Sequence, residues 1–234
     1  MRQIILDTET TGLEVSQGHR VIEIGCLEMR DRRVTGRTFH RYLCPDREVD
    51  PGALAVHGIS NEFLASQPRF TDVAAEFLEF VEGAELVIHN APFDVGFLDA
   101  ELARVPAVAR RLQDICGVLD TLLLARQLHP GQRNSLDALC KRYGVDNSKR
   151  DLHGALLDAR ILADVYLAMT GGQGALTLEA DAASPGHAAA AFARVERGSI
   201  RIPVVRATPE ELAAHERALD VVAKAAGGRV VFRE

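Results

Sequence analysis

Two carboxylates one residue apart, Asp7 and Glu9, close an apolar run in the stretch Ile5-Leu6-Asp7-Thr8-Glu9-Thr10-Thr11-Gly12-Leu13. Residues two apart on a strand point to the same side. Asp7 and Glu9 therefore project together from the carboxyl end of the strand read over Met1–Leu6. Like charges that close repel and call for positive charge between them. Two exposed loop acids would look the same, so the question is whether the chain supplies further ligands. Asp94 stands in the first turn of a helix that follows a strand, where open sheets form their sites. An acid there also suits the helix dipole, so Asp94 alone decides little. Leu152-His153-Gly154-Ala155-Leu156-Leu157-Asp158 adds a histidine and a fourth acid. Their spacing turns a continuous helix by about 500°, so the two do not share a face. Gly154 instead puts His153 in a loop and Asp158 in the helix, from which both could converge on one point. Asp158 is hemmed in by Leu156, Leu157, Ile161 and Leu162, poor company for an unpaired charge. Asp7, Glu9, Asp94 and Asp158 are hard oxygen donors that suit Mg²⁺ or Mn²⁺ and not a zinc cage. His153 is a base for neutral pH. Together they suit phosphoryl transfer at two divalent ions ~3.5–4 Å apart.

The elements that must position these residues are legible in the hydrophobic pattern. Arg20 to Met29 alternates apolar and polar as a strand does, and Arg33 to Leu43 reads as its hairpin partner. Thr71-Asp72 opens an amphipathic helix with Val73, Phe77, Phe80 and Val81 on one face and Gly83 at its stop. Glu85 to Asn90 is a short strand; Asn90 suits an N-cap, and Pro92 sits in the first turn of a helix carrying Phe93, Phe97, Leu98 and Leu102. Val118 to Leu128 reads as a strand end running into a helix, Ser135 starts a short helix ended by Gly144, and a last core helix covers about 155–169. Strands first pair as a meander, then alternate with helices. This is an α/β domain of about residues 1–170, a mixed sheet flanked by helices.

Residues 171–199 are rich in Gly and Ala and read as a flexible linker. Beyond them, 200–206 and 229–233 are strand-like, and Thr208-Pro209-Glu210-Glu211 is a capping box opening a helix. So short a segment, 200–234, lacks a core of its own and is expected to dock on a partner. Cys26, Cys44, Cys116 and Cys140 are scattered without metal-binding spacing and read as reduced thiols of a cytoplasmic protein. No apolar run reaches membrane-spanning length, which excludes a membrane partner. The net charge of −6 lies in residues 1–170, and the tail is balanced. A protein gripping nucleic acid alone is usually basic, so bound ions or another protein must help if DNA is the substrate.

Three motifs in order, Asp7-x-Glu9, His89-Asn90-x-x-Phe93-Asp94 and His153-x-x-x-x-Asp158, resemble the DEDDh family of 3′→5′ exonucleases. Within it the sequence is similar to the proofreading subunits of bacterial DNA polymerase III, in LDTETTGL, VDPGALAVHGIS, ELVIHNAPFD, RNSLDALCKRYGVDNSKR, LHGALLDARILADVYLAMTGG and the tail's ATPEELAAHERALD. The resemblance implies a ribonuclease H-like fold and hydrolysis of mispaired DNA 3′ ends to nucleoside 5′-monophosphates with two Mg²⁺ or Mn²⁺ ions. A DEDDh ribonuclease trimming RNA 3′ ends is the alternative; the tail, superfluous for such an enzyme, argues against it. Carried over by motif, Asp7 would bridge both ions, Glu9 and Asp158 would complete the first shell, and Asp94 would serve the second. His153 would take a proton from the attacking water. Thr10, Gly12, Leu13, His57 and Phe93, with Asp7, Glu9 and Asp158, would receive the terminal nucleotide. His57 belongs to a loop motif, Ala55-Val56-His57-Gly58-Ile59, and by itself would be a surface histidine. Gly52 follows Pro51 where relatives can carry Glu, so a contact to the terminal sugar is expected to differ. Gln173, Leu176 and Leu178 (QGALTL) resemble the short motifs that insert into the sliding clamp, and 200–234 would dock on the polymerase III catalytic subunit.

Overall fold

The computed structural model describes residues 1–105, 110–148, 152–171, 206–225 and 227. Its strands are β1 Arg2–Thr10, β2 Val21–Arg30, β3 Arg33–Tyr42, β4 Glu85–Ile88 and β5 Gly117–Asp120. The helices are α1 Pro51–His57, α2 Asn61–Leu64, α3 Phe70–Val81, α4 Ala91–Leu102, α5 Thr121–Leu128, α6 Leu136–Tyr143, α7 Ala155–Thr170 and α8 Pro209–Ala225. One sheet of order β3-β2-β1-β4-β5 results. Its β1–β2 and β2–β3 pairs are antiparallel, and β4 and β5 join in parallel. This is the mixed sheet that the pattern of elements implied.

Alternation along β1 builds two cores. Ile4 and Leu6, with Leu86 and Ile88 of β4, meet Phe77 and Val81 of α3 and Val95, Leu98 and Leu102 of α4. Ile5 and Val87 point the other way, into Leu139 of α6 and Ala159, Leu162 and Val165 of α7. Because β1 is covered on both faces, its central run Ile4-Ile5-Leu6 is apolar without a break. Each fully buried side chain contributes about 1.5–3 kcal/mol, so both helix layers are firmly seated.

Several expectations are corrected. β1 does not stop at Leu6 but runs to Thr10, so Asp7 and Glu9 lie within a paired strand. Two polar positions of β2 are buried, Glu23 at 2% and Glu28 at 1% exposed. Burial pushes the Glu28 carboxyl up, but hydrogen bonds from Arg2 and Thr35 and the nearby Arg37 bring it down to about 2. Asn90 is the N-cap residue of α4 as expected, but it takes the left-handed conformation, φ 68°, and makes no side-chain cap bond.

The chain folds as two compact units, Met1–Leu176 and Thr177–Glu234. In the second unit the capping box is present: Glu211 N–H donates to Thr208 Oγ1 at 3.2 Å and Thr208 N–H to Glu211 Oε2 at 2.8 Å. The strand-like segments 200–206 and 229–233, the linker and the clamp-like Gln173, Leu176 and Leu178 fall largely or wholly outside the described residues. Among those described, no helix is long and apolar enough to cross a membrane, and the four cysteines form no disulfide.

Candidate active site

Asp7 and Glu9 share the sheet face of Ile5, the one covered by α7, while Thr8 faces α4. The seat of α7 depends on Gly25, the register partner of Asp7. A Cβ at Gly25 would lie 2.2 Å from Leu156 N and 2.3 Å from Ala155 C, so only a bare backbone lets the start of α7 rest on the strand. That contact carries Asp158, in the first turn of α7 and 3% exposed, to the acids of β1. His153 sits just ahead of the helix, its Nδ1 3.3 Å from Asp158 Oδ2. Its main-chain N–H donates to Val56 C=O at 3.1 Å, tying the loop to α1. Loop and helix therefore bring His153 and Asp158 together as the glycine between them suggested.

Asp94 arrives from the other face. It lies in the first turn of α4, 3% exposed, and accepts the Thr8 hydroxyl at 2.7 Å. Burial raises its carboxyl to about 7, with the Thr8 hydrogen bond opposing and Asp120 adding to the rise. Arg20 fixes α4 through two bonds to the buried Glu101, at 2.6 and 2.7 Å.

Asp7, Glu9, Asp94, His153 and Asp158 all line one cavity of about 160 Å³, together with Thr8, His89, Phe93 and Leu136. Ligand atoms of Glu9, His153 and Asp158 lie within 4.8 Å of one another. Hard oxygens of Glu9 and Asp158 at this spacing fit a divalent cation, whose charge would favour the ionised form of the raised Asp94 carboxyl.

Beside it opens a second cavity, of about 620 Å³, sharing Thr8, Glu9 and Phe93 with the first and lined also by Thr10, Gly12, Leu13, Gly52 and His57. Thr10 Oγ1 donates to Gly12 C=O at 2.6 Å, which shapes the turn above it. A Cβ at Gly12 would strike the His19 ring at 2.3 Å. His57 is not in a loop or on the surface. It ends α1 and is 5% exposed. Its Nδ1 accepts Ile59 N–H at 3.0 Å, which assigns the proton of the neutral ring to Nε2. Nε2 is buried without a hydrogen-bond partner. Burial lowers the pKa of this imidazole, against the pull of Glu23 and the Thr10 carbonyl, so the ring is a neutral donor.

Sequence reasoning gave no role to four residues that shape the site. Thr8 and Gly25 act through the contacts just described. His89 lines the acidic cavity, its Nδ1 3.0 Å from Thr121 Oγ1. Glu23 stands opposite Glu9 in register, with Oε1 2.7 Å from His40 Nε2 and Oε2 buried without a partner. Only strand register reveals Glu23 as a neighbour of Glu9. His89 could have been found from its place at the head of the His89-Asn90-x-x-Phe93-Asp94 motif.

Residues 4–166 match the Exonuclease family. DNA polymerase III subunit epsilon of Salmonella typhimurium is 54% identical over 99% of this chain and 97% of its own length, and that of Escherichia coli K12 is 52% identical over the same shares. The chain belongs to the DNA polymerase III epsilon family. Among solved structures, exonuclease X in complex with 5′-overhanging duplex DNA superposes on this epsilon-family chain with TM-score 0.56 at 27% identity, over 71% of this chain and 90% of that one. Exonuclease I, at 20% identity, TM-score 0.62 and 74% of this chain against 41% of its own, shares the fold. The epsilon-family sheet is thus ribonuclease H-like.

Proposed function

We infer that this chain is the 3′→5′ proofreading exonuclease of a DNA polymerase III, releasing nucleoside 5′-monophosphates from DNA 3′ ends. The observation that carries the reading is the single cavity of about 160 Å³ walled by four acids and His153, opening beside a nucleotide-sized cavity of about 620 Å³. Asp7, Glu9 and Asp158 would hold one Mg²⁺ or Mn²⁺ ion, with Asp7 and Asp94 serving a second. Bound there, such ions would lower the pKa of a water and neutralise charge developing on the phosphate.

The chain's own groups supply the rest. With Asp158 Oδ2 3.3 Å from His153 Nδ1, an Nδ1–H donated there would orient the ring and leave Nε2 as the basic nitrogen. His153 takes the water's proton as the new P–O bond forms and the bond to the penultimate 3′-oxygen breaks. Phe93, tilted against Phe97 at a centroid distance of 4.9 Å, and exposed Leu13 flank the terminal base. The His57 Nε2–H donates to the nucleotide and thereby gains its partner. Mismatch preference needs no base code, because a mispaired end frays more readily into the single strand the site accepts. Residues 200–234 tether the exonuclease to the polymerase catalytic subunit, with Gln173, Leu176 and Leu178 contacting the clamp, so that effective concentration replaces strong intrinsic affinity for DNA.

The test is an exonuclease assay on matched and mismatched DNA primer ends and on RNA, with Mg²⁺ and with EDTA. Mononucleotide release from DNA, faster at mismatches and absent in EDTA, is expected. A clear preference for RNA would replace this reading with the ribonuclease one.

A further inference from the structure

A groove of about 610 Å³ opens on the other flank of the acidic cavity and shares His89, Leu136 and His153 with it. Resting on the exonuclease reading above, we propose that this groove holds the phosphodiester backbone of the strand immediately upstream of the scissile phosphate, with Arg126 as its cation. The two flanks have different characters. The cavity on the Phe93 side, about 620 Å³, sets Phe93, Leu13, Val56 and His57 among polar neighbours and has room for a terminal nucleoside. The groove on the His153 side sets the donors Arg126, Gln132, Asn134 and Ser135 beside Leu122, Leu136 and Asp137.

Arg126, exposed in the last turn of α5, has no ion pair among the described residues. Gln132 Oε1 is taken by Arg142 Nη2 at 3.0 Å, which leaves the Gln132 amide N–H groups to face the groove. Ser135 Oγ accepts Ala138 N–H at 3.4 Å, so its hydroxyl proton remains for an incoming acceptor. The wall is stiff: Asn134, 7% exposed, donates to His129 C=O at 3.2 Å and accepts from Arg142 Nη1 at 3.0 Å. The acid in the lining, Asp137, already accepts from Asn147 at 3.3 Å.

Donors along a rigid wall match phosphate oxygens. A strand whose last phosphodiester lies among the acids, with its terminal nucleoside in the Phe93-side cavity, must leave through the opposite flank. In a chain of net charge −6 a local cation on that path offsets the repulsion of the polyanion.

The test compares the wild-type full-length chain with Arg126→Gln and Arg126→Lys, in Mg²⁺, on a single-stranded DNA octanucleotide and on the nitrophenyl ester of thymidine 5′-monophosphate. The ester has no upstream phosphate. Arg126→Gln is expected to raise KM for the octanucleotide about 5–10-fold, to flatten its log–log salt dependence by about 0.7, and to leave ester hydrolysis unchanged. Arg126→Lys is expected to keep most of the salt dependence. Unchanged KM and salt dependence on the octanucleotide overturn the proposal, as does an equal loss on the ester, which would place Arg126 in the catalytic pocket or in folding. If the wild-type chain hydrolyses neither substrate, the exonuclease reading itself falls.

Discussion

Gly25 faces Asp7 across the β1–β2 pair, and the first residues of α7 lie so close that a Cβ on Gly25 would stand 2.2 Å from Leu156 N. The absence of one methyl thus sets how near Asp158 comes to Asp7. Gly25→Ala forces backbone against backbone, an overpacking that typically costs about 1–3 kcal/mol. A lowered Tm together with a loss of nucleotide release larger than the unfolded fraction explains is the expected result. Normal activity in the folded protein would show that α7 need not touch the strand.

Asp94 couples pH to stability in metal-free protein. Its folded carboxyl is raised by burial from 3.8 to about 7. Between those values the folded chain binds a proton that the unfolded chain does not, so stability falls as pH rises from about 4 through about 7. Thermal melts in EDTA should show that fall, and Asp94→Asn, which keeps an oxygen for the Thr8 hydroxyl, should flatten it. The same slope in both proteins would assign the effect to other groups.

His153 and Asp158 lie within reach of one another but should fail differently when removed. His153→Ala is expected to lower kcat by about 10²–10⁴-fold with cation affinity little changed. Asp158→Ala, like Asp7→Ala, should abolish nucleotide release and weaken cation binding while the fold persists. Calorimetric cation titrations beside activity assays separate the roles; near-normal activity of either acid variant would refute the assignment.

Gly52 occupies the first turn of α1 on the wall of the nucleotide-sized cavity, with open space where a Cβ would stand. Gly52→Glu therefore introduces no clash, removes a helix glycine and places an acid near the positive helix end. A stability gain of about 0.5–1 kcal/mol should follow. A lower KM should accompany it if the new carboxylate accepts the terminal 3′-hydroxyl; a 3′-deoxy end would then lose that advantage.

Deletion of residues 200–234 should abolish co-elution with the polymerase catalytic subunit and leave hydrolysis of single strands intact. Size-exclusion chromatography beside the nuclease assay checks both, and surviving co-elution would move the docking surface elsewhere.

Local pattern alone was enough to mark most helices, the mixed sheet and five candidate site residues, because alternation, the 3.6-residue period, caps and short motifs are properties of neighbouring residues. Asp7, Glu9, Asp94, His153 and Asp158 were each recognisable by type and setting. Gly154 suggested that His153 and Asp158 converge, and strand alternation that Asp7 and Glu9 do, but the contacts that join the two pairs to Asp94 were not legible, since they depend on α7 lying on Gly25 and on Thr8 reaching α4 from the opposite face of the strand that carries the acids. Burial of His57, the raised carboxyl of Asp94 and the position of Glu23 opposite Glu9 follow from strand register and desolvation. Those are set by groups far away in the chain, so only the tertiary structure decides which side chains share a cavity and which protonation state each one carries.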